Sequence, residues 1–233
     1  MSLATALRAD LVLETETAEL GKQGHFAFSF ATQFEHEKDG GKTAFTLNQF
    51  EYAITDRSEL LVEPFFYEWS KPAGGPLVQG MGDLEITPSY MVLLEKPYIP
   101  ATVLAFKLKV PTATNRNIGT GKFDYQPYVI LGKKIGHWIL NANFGYDIVT
   151  SPPGNPLRNQ FIYDFSVERE ITEKWSVYAE VFANSIPAVG EAATSSVAVA
   201  TEYRFTENFN AFVSVGYDTN GLFNVRPGFN LEF

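Results

Sequence analysis

The chain contains no cysteine in its 233 residues, which excludes a disulfide framework, a thiolate nucleophile and a zinc–thiolate site. It has no apolar run near the roughly 18 residues of a membrane helix, which excludes helical spans but not strand spans. Cations are scarce: 18 Lys and Arg face 27 Asp and Glu, a net charge of −9, the wrong sign for a nucleic-acid partner. The three histidines, His25, His36 and His137, are dispersed. They give neither a transition-metal set nor a base within reach of a serine nucleophile. No cofactor, metal or catalytic residue is expected. The glycine-containing loops precede no helix, so phosphate-loop chemistry is not expected either. Met1 to Ala9 has small residues but not the apolar core, roughly 7–15 residues, of a signal peptide; we read it as a processing remnant or a cloning scar.

What the chain does have is alternation. Aromatics make up 15% of it, with 20 Phe and 11 Tyr, and these favour strands. In the last stretch Phe223, Val225, Pro227, Phe229, Leu231 and Phe233 take one parity, and Asn224, Arg226, Gly228, Asn230 and Glu232 the other. A period of two is a strand with one apolar and one polar face. The pattern recurs: Phe26, Phe28 and Phe30 against Ala27, Ser29 and Ala31; Leu104, Phe106 and Leu108 against Lys107 and Lys109; Phe161, Tyr163 and Phe165 against Asp164 and Ser166. It blurs in two places. A bulge is allowed near Leu47 and Gln49. Glu59 to Trp69 reads as a third strand of undetermined parity, followed by a long loop from Ser70 to Gly80.

The count is about twelve strands of about 10–13 residues, longer than the strands of ordinary globular sheets. Three short turns share one pattern: Ile54-Thr55-Asp56-Arg57, Ile171-Thr172-Glu173-Lys174 and Phe205-Thr206-Glu207-Asn208. The alternate connections are mostly longer and rich in Gly and Pro. Short turns at one rim and long loops at the other mark a transmembrane barrel. A soluble sandwich would bury the aromatic face, whereas a membrane barrel turns it to lipid. Ionisable groups on the opposite face, and Tyr, Trp and Phe near strand ends, favour the second. We therefore expect an all-β, transmembrane, antiparallel up-and-down β-barrel with short periplasmic turns and longer extracellular loops. Residues 23–233 form the barrel. Residues 1–22 form a periplasmic or lumen-entering lead-in, extended rather than helical.

A family resemblance accompanies this reading. Met81-Gly82-Asp83-Leu84-Glu85-Ile86-Thr87-Pro88-Ser89-Tyr90, then Lys109-Val110-Pro111-Thr112, Gly119-Thr120-Gly121 and Phe123-Asp124-Tyr125-Gln126-Pro127-Tyr128, and later Trp175-Ser176-Val177-Tyr178-Ala179-Glu180, resemble strands of one bacterial outer-membrane family. That family is labelled after the meta-cleavage pathway of phenol degradation, and its members are usually called outer-membrane transporters. The terminal strand, through Phe229, Leu231 and Phe233, resembles the assembly signal of outer-membrane barrels. The resemblance implies an outer-membrane location. It also implies outer-membrane lipid, the barrel assembly machinery and an unidentified small solute as partners.

On this reading the polar face lines a lumen. Asp83 and Glu85 oppose Lys107 and Lys109 one hairpin on. They form either a charged constriction or wall pairs that neutralise each other. Asp147, Asp164, Glu168, Glu180 and Glu202 would give an acidic wall, and Asp124, Asn141 and Asn143 also face inward. Tyr128 and Tyr178 would offer an aromatic slide or pack against the lead-in, whose acids could meet Lys107, Lys109 or Arg226. Two functions follow: a passive channel for small solutes, aromatic or hydrophobic compounds among them, or a plugged structural or ligand-binding barrel that conducts nothing.

Overall fold

The computed structural model describes residues 11–64, 66–154, 156–186 and 193–233. Met1 to Ala9 lies outside the described residues, as do residues 1–10 of the expected lead-in. Among the described residues there is no helix. The strands are β1 (Phe26–His36), β2 (Lys42–Thr55), β3 (Ser58–Glu63), β4 (Tyr67–Lys71), β5 (Val78–Met81), β6 (Leu84–Leu93), β7 (Ala101–Val110), β8 (Asp124–Ile135), β9 (Trp138–Asp147), β10 (Gln160–Thr172), β11 (Trp175–Asn184), β12 (Thr194–Thr206), β13 (Phe209–Asp218) and β14 (Phe223–Glu232). Every pairing is antiparallel, and β1 pairs with both β14 and β2, so the sheet closes on itself. The closure is completed by a backbone exchange at the carboxy-terminus. Phe233 N–H donates to Phe26 O at 2.9 Å, and Phe26 N–H to Phe233 O at 3.3 Å.

Among the described residues, fourteen strands make twelve wall positions. β3 and β4 both pair with β2, β3 along its lower half and β4 along its upper half. They are one wall strand interrupted at Pro64, which has no N–H to give to a ladder. β5 pairs with β4 and runs on into β6, which pairs with β3. The expected third strand, Glu59 to Trp69, is therefore two strands, and the expected loop from Ser70 to Gly80 carries the end of β4 and most of β5. Parity slips at this break. Glu59 and Leu61 are buried inward in β3, whereas Trp69 is exposed on the outward face of β4. The Phe66 ring lies where a Cβ on Gly82 would sit, and Gly82 N–H donates to Phe66 O. Only glycine allows the two interruptions to meet there.

The other blurred place resolves differently. The β1–β2 register runs unbroken from Phe26 opposite Tyr52 to His36 opposite Lys42, so no bulge lies at Leu47 or Gln49. Leu47 is simply an apolar residue facing inward, packed near Leu11, Val12 and Leu13. The bulges sit at the short-turn rim instead, at Ala53/Thr55, Met91/Leu93, Glu170/Thr172 and Arg204/Thr206. Three of them lead into the repeated Thr-acidic turns. There each threonine oxygen accepts from the N–H two residues on: Arg57, Lys174 and Asn208 donate to Thr55, Thr172 and Thr206. This is the local turn that a Thr side chain offers the backbone, and it explains the recurrence of the pattern.

The wall's two faces are opposite in character. Phe144, Phe161, Phe165, Val199 and Tyr217 are about half exposed on the outside. Ser29, Asn141, Asn143, Ser166, Glu180 and Asn230 are buried on the inside. Strands of 10 to 14 residues along most of the wall meet the roughly 9–11 that a spanning strand needs.

Candidate functional site: the lumen and the segment within it

The inner face is polar because alternation sends every second residue there, yet its polar groups are buried. Residues 11–24 run through the lumen and cover them. Leu11, Val12 and Leu13 pack on Ala31, Ala200 and Phe212. Arg226, on β14, donates to Leu11 O and Leu13 O at 3.2 and 3.3 Å and to Gln33 Oε1 at 2.6 Å, and it pairs with Glu14. Glu180, on β11, accepts from Glu14 N–H, Thr15 N–H and the Thr15 hydroxyl at 2.9, 2.6 and 2.6 Å. Tyr128 donates its hydroxyl to Glu16 Oε1 at 2.8 Å. The Asn143 amide, turned to suit both groups, brackets the Glu16 backbone at 2.6 and 3.0 Å. Ala18 packs against Val103, Ala105, Tyr128 and Ile130. Its methyl reaches to where a Cβ on Gly132 would stand, so a side chain there would push the segment off the wall. Gly21 donates to Glu59, and Gln23 to Asp56 at the short-turn rim.

Charge sets the ends of this contact. The Arg226 guanidinium beside Glu14 holds its carboxyl below the usual carboxylate range. Burial pushes the Glu16 carboxyl up, against the pull of Lys107 and the Tyr128 hydrogen bond.

A second group stands toward the long-loop rim. Lys107 Nζ lies 3.0 Å from Glu85 and 3.3 Å from Glu63. Lys109 Nζ lies 3.6 Å from Asp83 and also pairs with Asp124. The register opposes Glu85 to Lys109, so the pairs between β6 and β7 run diagonally, whereas Lys109 and Asp124 are direct register partners; each lysine is held between two carboxylates. Asp83 also accepts from Ala113 N–H at 2.9 Å and so ties down the β7–β8 loop. A cavity of about 220 Å³ opens beside this group, lined by Glu85, Lys107, Lys109, Asp124, Gln126, Asp147 and Gln160 among others.

The candidate residues thus fall into separate places. Asp83, Glu85, Lys107, Lys109, Asp124 and Asp147 share the mouth. Tyr128, Tyr178, Asn143, Glu180 and Arg226 meet residues 11–24. Asn141 faces inward beside Gly132 and Ala18. Glu168 accepts from the Ser176 hydroxyl at 2.8 Å, with Glu202 in register with Ser176, toward the short-turn end. Asp164 is buried between them and the mouth. Asp164, Glu168, Glu180 and Glu202 stand on the inner face of β10 to β12, with Glu180 opposite Ser166 and so between Asp164 and Glu168, and Asp147 stands apart at the mouth. Both tyrosines lie against the internal segment rather than along an open path. Sequence reasoning missed Glu63 and Glu59. They precede the break at Pro64, where parity switches, so no single period fits the segment. Phe229 faces outward among the rings of Phe28, Phe30 and Phe209, and Phe233 stands against Phe26. Leu231 pairs in register with Phe28 and Phe209. His25 and His137 lie at the short-turn rim and His36 at the long-loop rim. Among the described residues no three His, Cys, Asp or Glu side chains are grouped to hold a metal ion.

Comparison with known proteins follows the fold. The profile of the family described as "Putative MetA-pathway of phenol degradation" matches residues 12–221. No curated protein sequence matches. Among solved structures, the COG4313 outer membrane channel from Pseudomonas putida F1 superposes with a TM-score of 0.75 at 14% identity, covering 95% of this chain and 100% of that one. The KdgM porin gives 0.62 at 13%, covering 88% and 99%. The CymD monoaromatic hydrocarbon channel gives 0.51 at 8%, covering 91% and 89%. The fold is that of outer-membrane β-barrels.

Proposed function

Because the chain belongs to the family described as "Putative MetA-pathway of phenol degradation", we propose that it is a channel of the bacterial outer membrane for passive uptake of small solutes, aromatic or hydrophobic compounds among them. It is not an enzyme on this reading. The short turns face the periplasm and the long loops the exterior. Residues 1–22 act as a closing segment separate from the barrel, residues 23–233. The observation that carries the proposal is the way residues 11–24 are held. They sit in a preformed polar lumen through side-chain hydrogen bonds to Arg226, Glu180, Tyr128 and Glu59, contacts that can break without unfolding the wall. The charged mouth at Lys107 and Lys109 then selects among solutes by sign and size. The same contacts favour a second reading, a permanently plugged barrel that binds but does not conduct.

Single-channel recording in planar bilayers, with and without residues 1–22, separates the two. The channel reading expects low conductance from the full chain and a large step from the truncated one. Silence from both, with the barrel verified as folded, overturns it.

A further inference from the structure

The outward face of the wall has a charge pattern that the lumen does not explain. Although acids outnumber bases in the chain, among the described strand residues no Asp or Glu takes an outward position. Four cations do. Arg169 and Lys133 stand at the short-turn rim, and both are engaged. The Arg169 guanidinium lies 4.7 Å over the Trp138 ring, and Lys133 is 2.9 Å from Glu95. The other two, Lys42 on β2 and Lys71 on β4, stand at the long-loop rim as direct register partners. His36 on β1 is the register partner of Lys42 on its other side. All three are exposed, and among the described residues no carboxylate pairs with either lysine. Like charges placed directly opposite on a sheet repel each other, so the arrangement costs stability unless an anion lies across it.

The surface just inside this row is suited to a lipid. One register step toward the membrane, Phe34, Ala44 and Trp69 stand side by side. Phe34 and Trp69 are 52% and 42% exposed, with the Tyr67 ring packed on Trp69. Aromatic rings at this level mark the headgroup boundary, and small Ala44 leaves a groove between them. The pair of lysines is thus at headgroup height, directly above Ala44 and the two rings that flank it.

We propose that Lys42 and Lys71, assisted by an N–H of His36, bind a phosphate group of outer-leaflet lipopolysaccharide, with one acyl chain of the lipid lying over Ala44 between Phe34 and Trp69. This rests on the outer-membrane placement proposed above. A phosphate monoester carries close to two charges and three acceptor oxygens, enough to bridge two ammonium groups and remove their repulsion. The lipid would fix the orientation of the short β4–β5 hairpin, which lies beyond the break in the wall.

The test uses the full chain and its Lys42→Gln/Lys71→Gln variant, with Lys133→Gln as a control at the opposite rim. Each is purified in detergent, and heat-modifiable gel mobility confirms the folded barrel. Binding of phosphorylated lipid A, of the same lipid A without its phosphates, and of phosphatidylglycerol vesicles is read by native mass spectrometry and thermal shift. The parent and the control should retain phosphorylated lipid A and gain thermal stability from it. The double variant should bind about tenfold more weakly, as two charge-assisted hydrogen bonds are lost. Equal binding by parent and double variant overturns the proposal, as does an equal shift from dephosphorylated lipid A. An equal shift from phosphatidylglycerol overturns the commitment to lipopolysaccharide. Should the double variant not fold, the parent's preference between the two forms of lipid A still decides. A barrel that binds lipid A yet conducts nothing fails the channel reading alone; one that conducts but ignores the phosphate fails this proposal alone.

Discussion

The outer and inner faces of the barrel wall are built from the same strands, one residue apart, and they meet different requirements. Outward positions are mostly apolar and need no partner from the protein, because the medium they meet asks for no hydrogen bonds; the outward cations stand at the two rims. Inward positions are mostly polar, and several of their side chains are bonded to residues 11–24 or to each other. The difference teaches that burial follows the solvent rather than hydrophobicity. Phe144 is half exposed while Glu180 on the inner face is nearly inaccessible, the reverse of a soluble protein. It also shows where function is held, since only the inner face has contacts that can be exchanged for water or solute.

The strongest way to break the comparison is to put a charge on each face. Phe144→Arg or Phe165→Arg should cost about 2–4 kcal/mol near the midplane. Gln126→Arg, inward beside the mouth cavity, should change stability by less than about 1 kcal/mol. Equilibrium unfolding in urea from lipid vesicles measures both. Arginine at Ala105, Asn143 or Ser29 is a poorer control than alternation alone suggests, because those inward sites are buried, the first two beside the internal segment.

A smaller effect belongs to the inner face. Arg226→Gln should release the first turn of the internal segment at a cost of about 1 kcal/mol, modest because Glu14 is half exposed. The open fraction in bilayers should rise about fivefold. The same pair gives a pH dependence. Glu14's carboxyl is pulled below its ordinary value by Arg226. Its contribution to the closed state is therefore complete above the ordinary carboxylate pKa and is lost as pH falls through the lowered value. Conductance should rise on acidification below about pH 4.5 in the parent. That rise should be missing in Glu14→Gln.

Two smaller effects concern the outer face and the mouth. Deleting Phe233 should reduce insertion in cells while leaving refolding into detergent largely intact, because among the described aromatic rings its own touches only Phe26 and it is 67% exposed; fractionation of cells checks this. Lys107→Glu with Lys109→Glu should move reversal potentials toward cations, and more clearly once residues 1–22 are removed.

The regular part of the wall was legible in the sequence. From β6 to β14 every second residue is apolar and the parity rarely falters. The break at Pro64 and Gly82 was not legible, because two strands change phase at one height and neither obeys a single period. Glu63 went unseen as a partner of Lys107 for that reason. The meeting of Arg226 with the acidic segment was anticipated as one of several options, since charge sign alone cannot choose among Lys107, Lys109 and Arg226. Contacts such as Glu180 with Thr15 had no sequence signal at all: they join residues 165 apart through an irregular segment that carries no periodicity.

The central claim is that the aromatic face meets lipid, and the native tryptophans test it without any mutation. Trp69, Trp138 and Trp175 all face outward, Trp69 near the long-loop rim and the other two near the short-turn rim. In vesicles of brominated phospholipid, bromines placed near the headgroups should quench most of the tryptophan emission. Bromines at the chain ends should quench much less, and aqueous iodide should have little effect. Strong iodide quenching together with indifference to brominated lipid would contradict the account, because it would put the aromatic face in water.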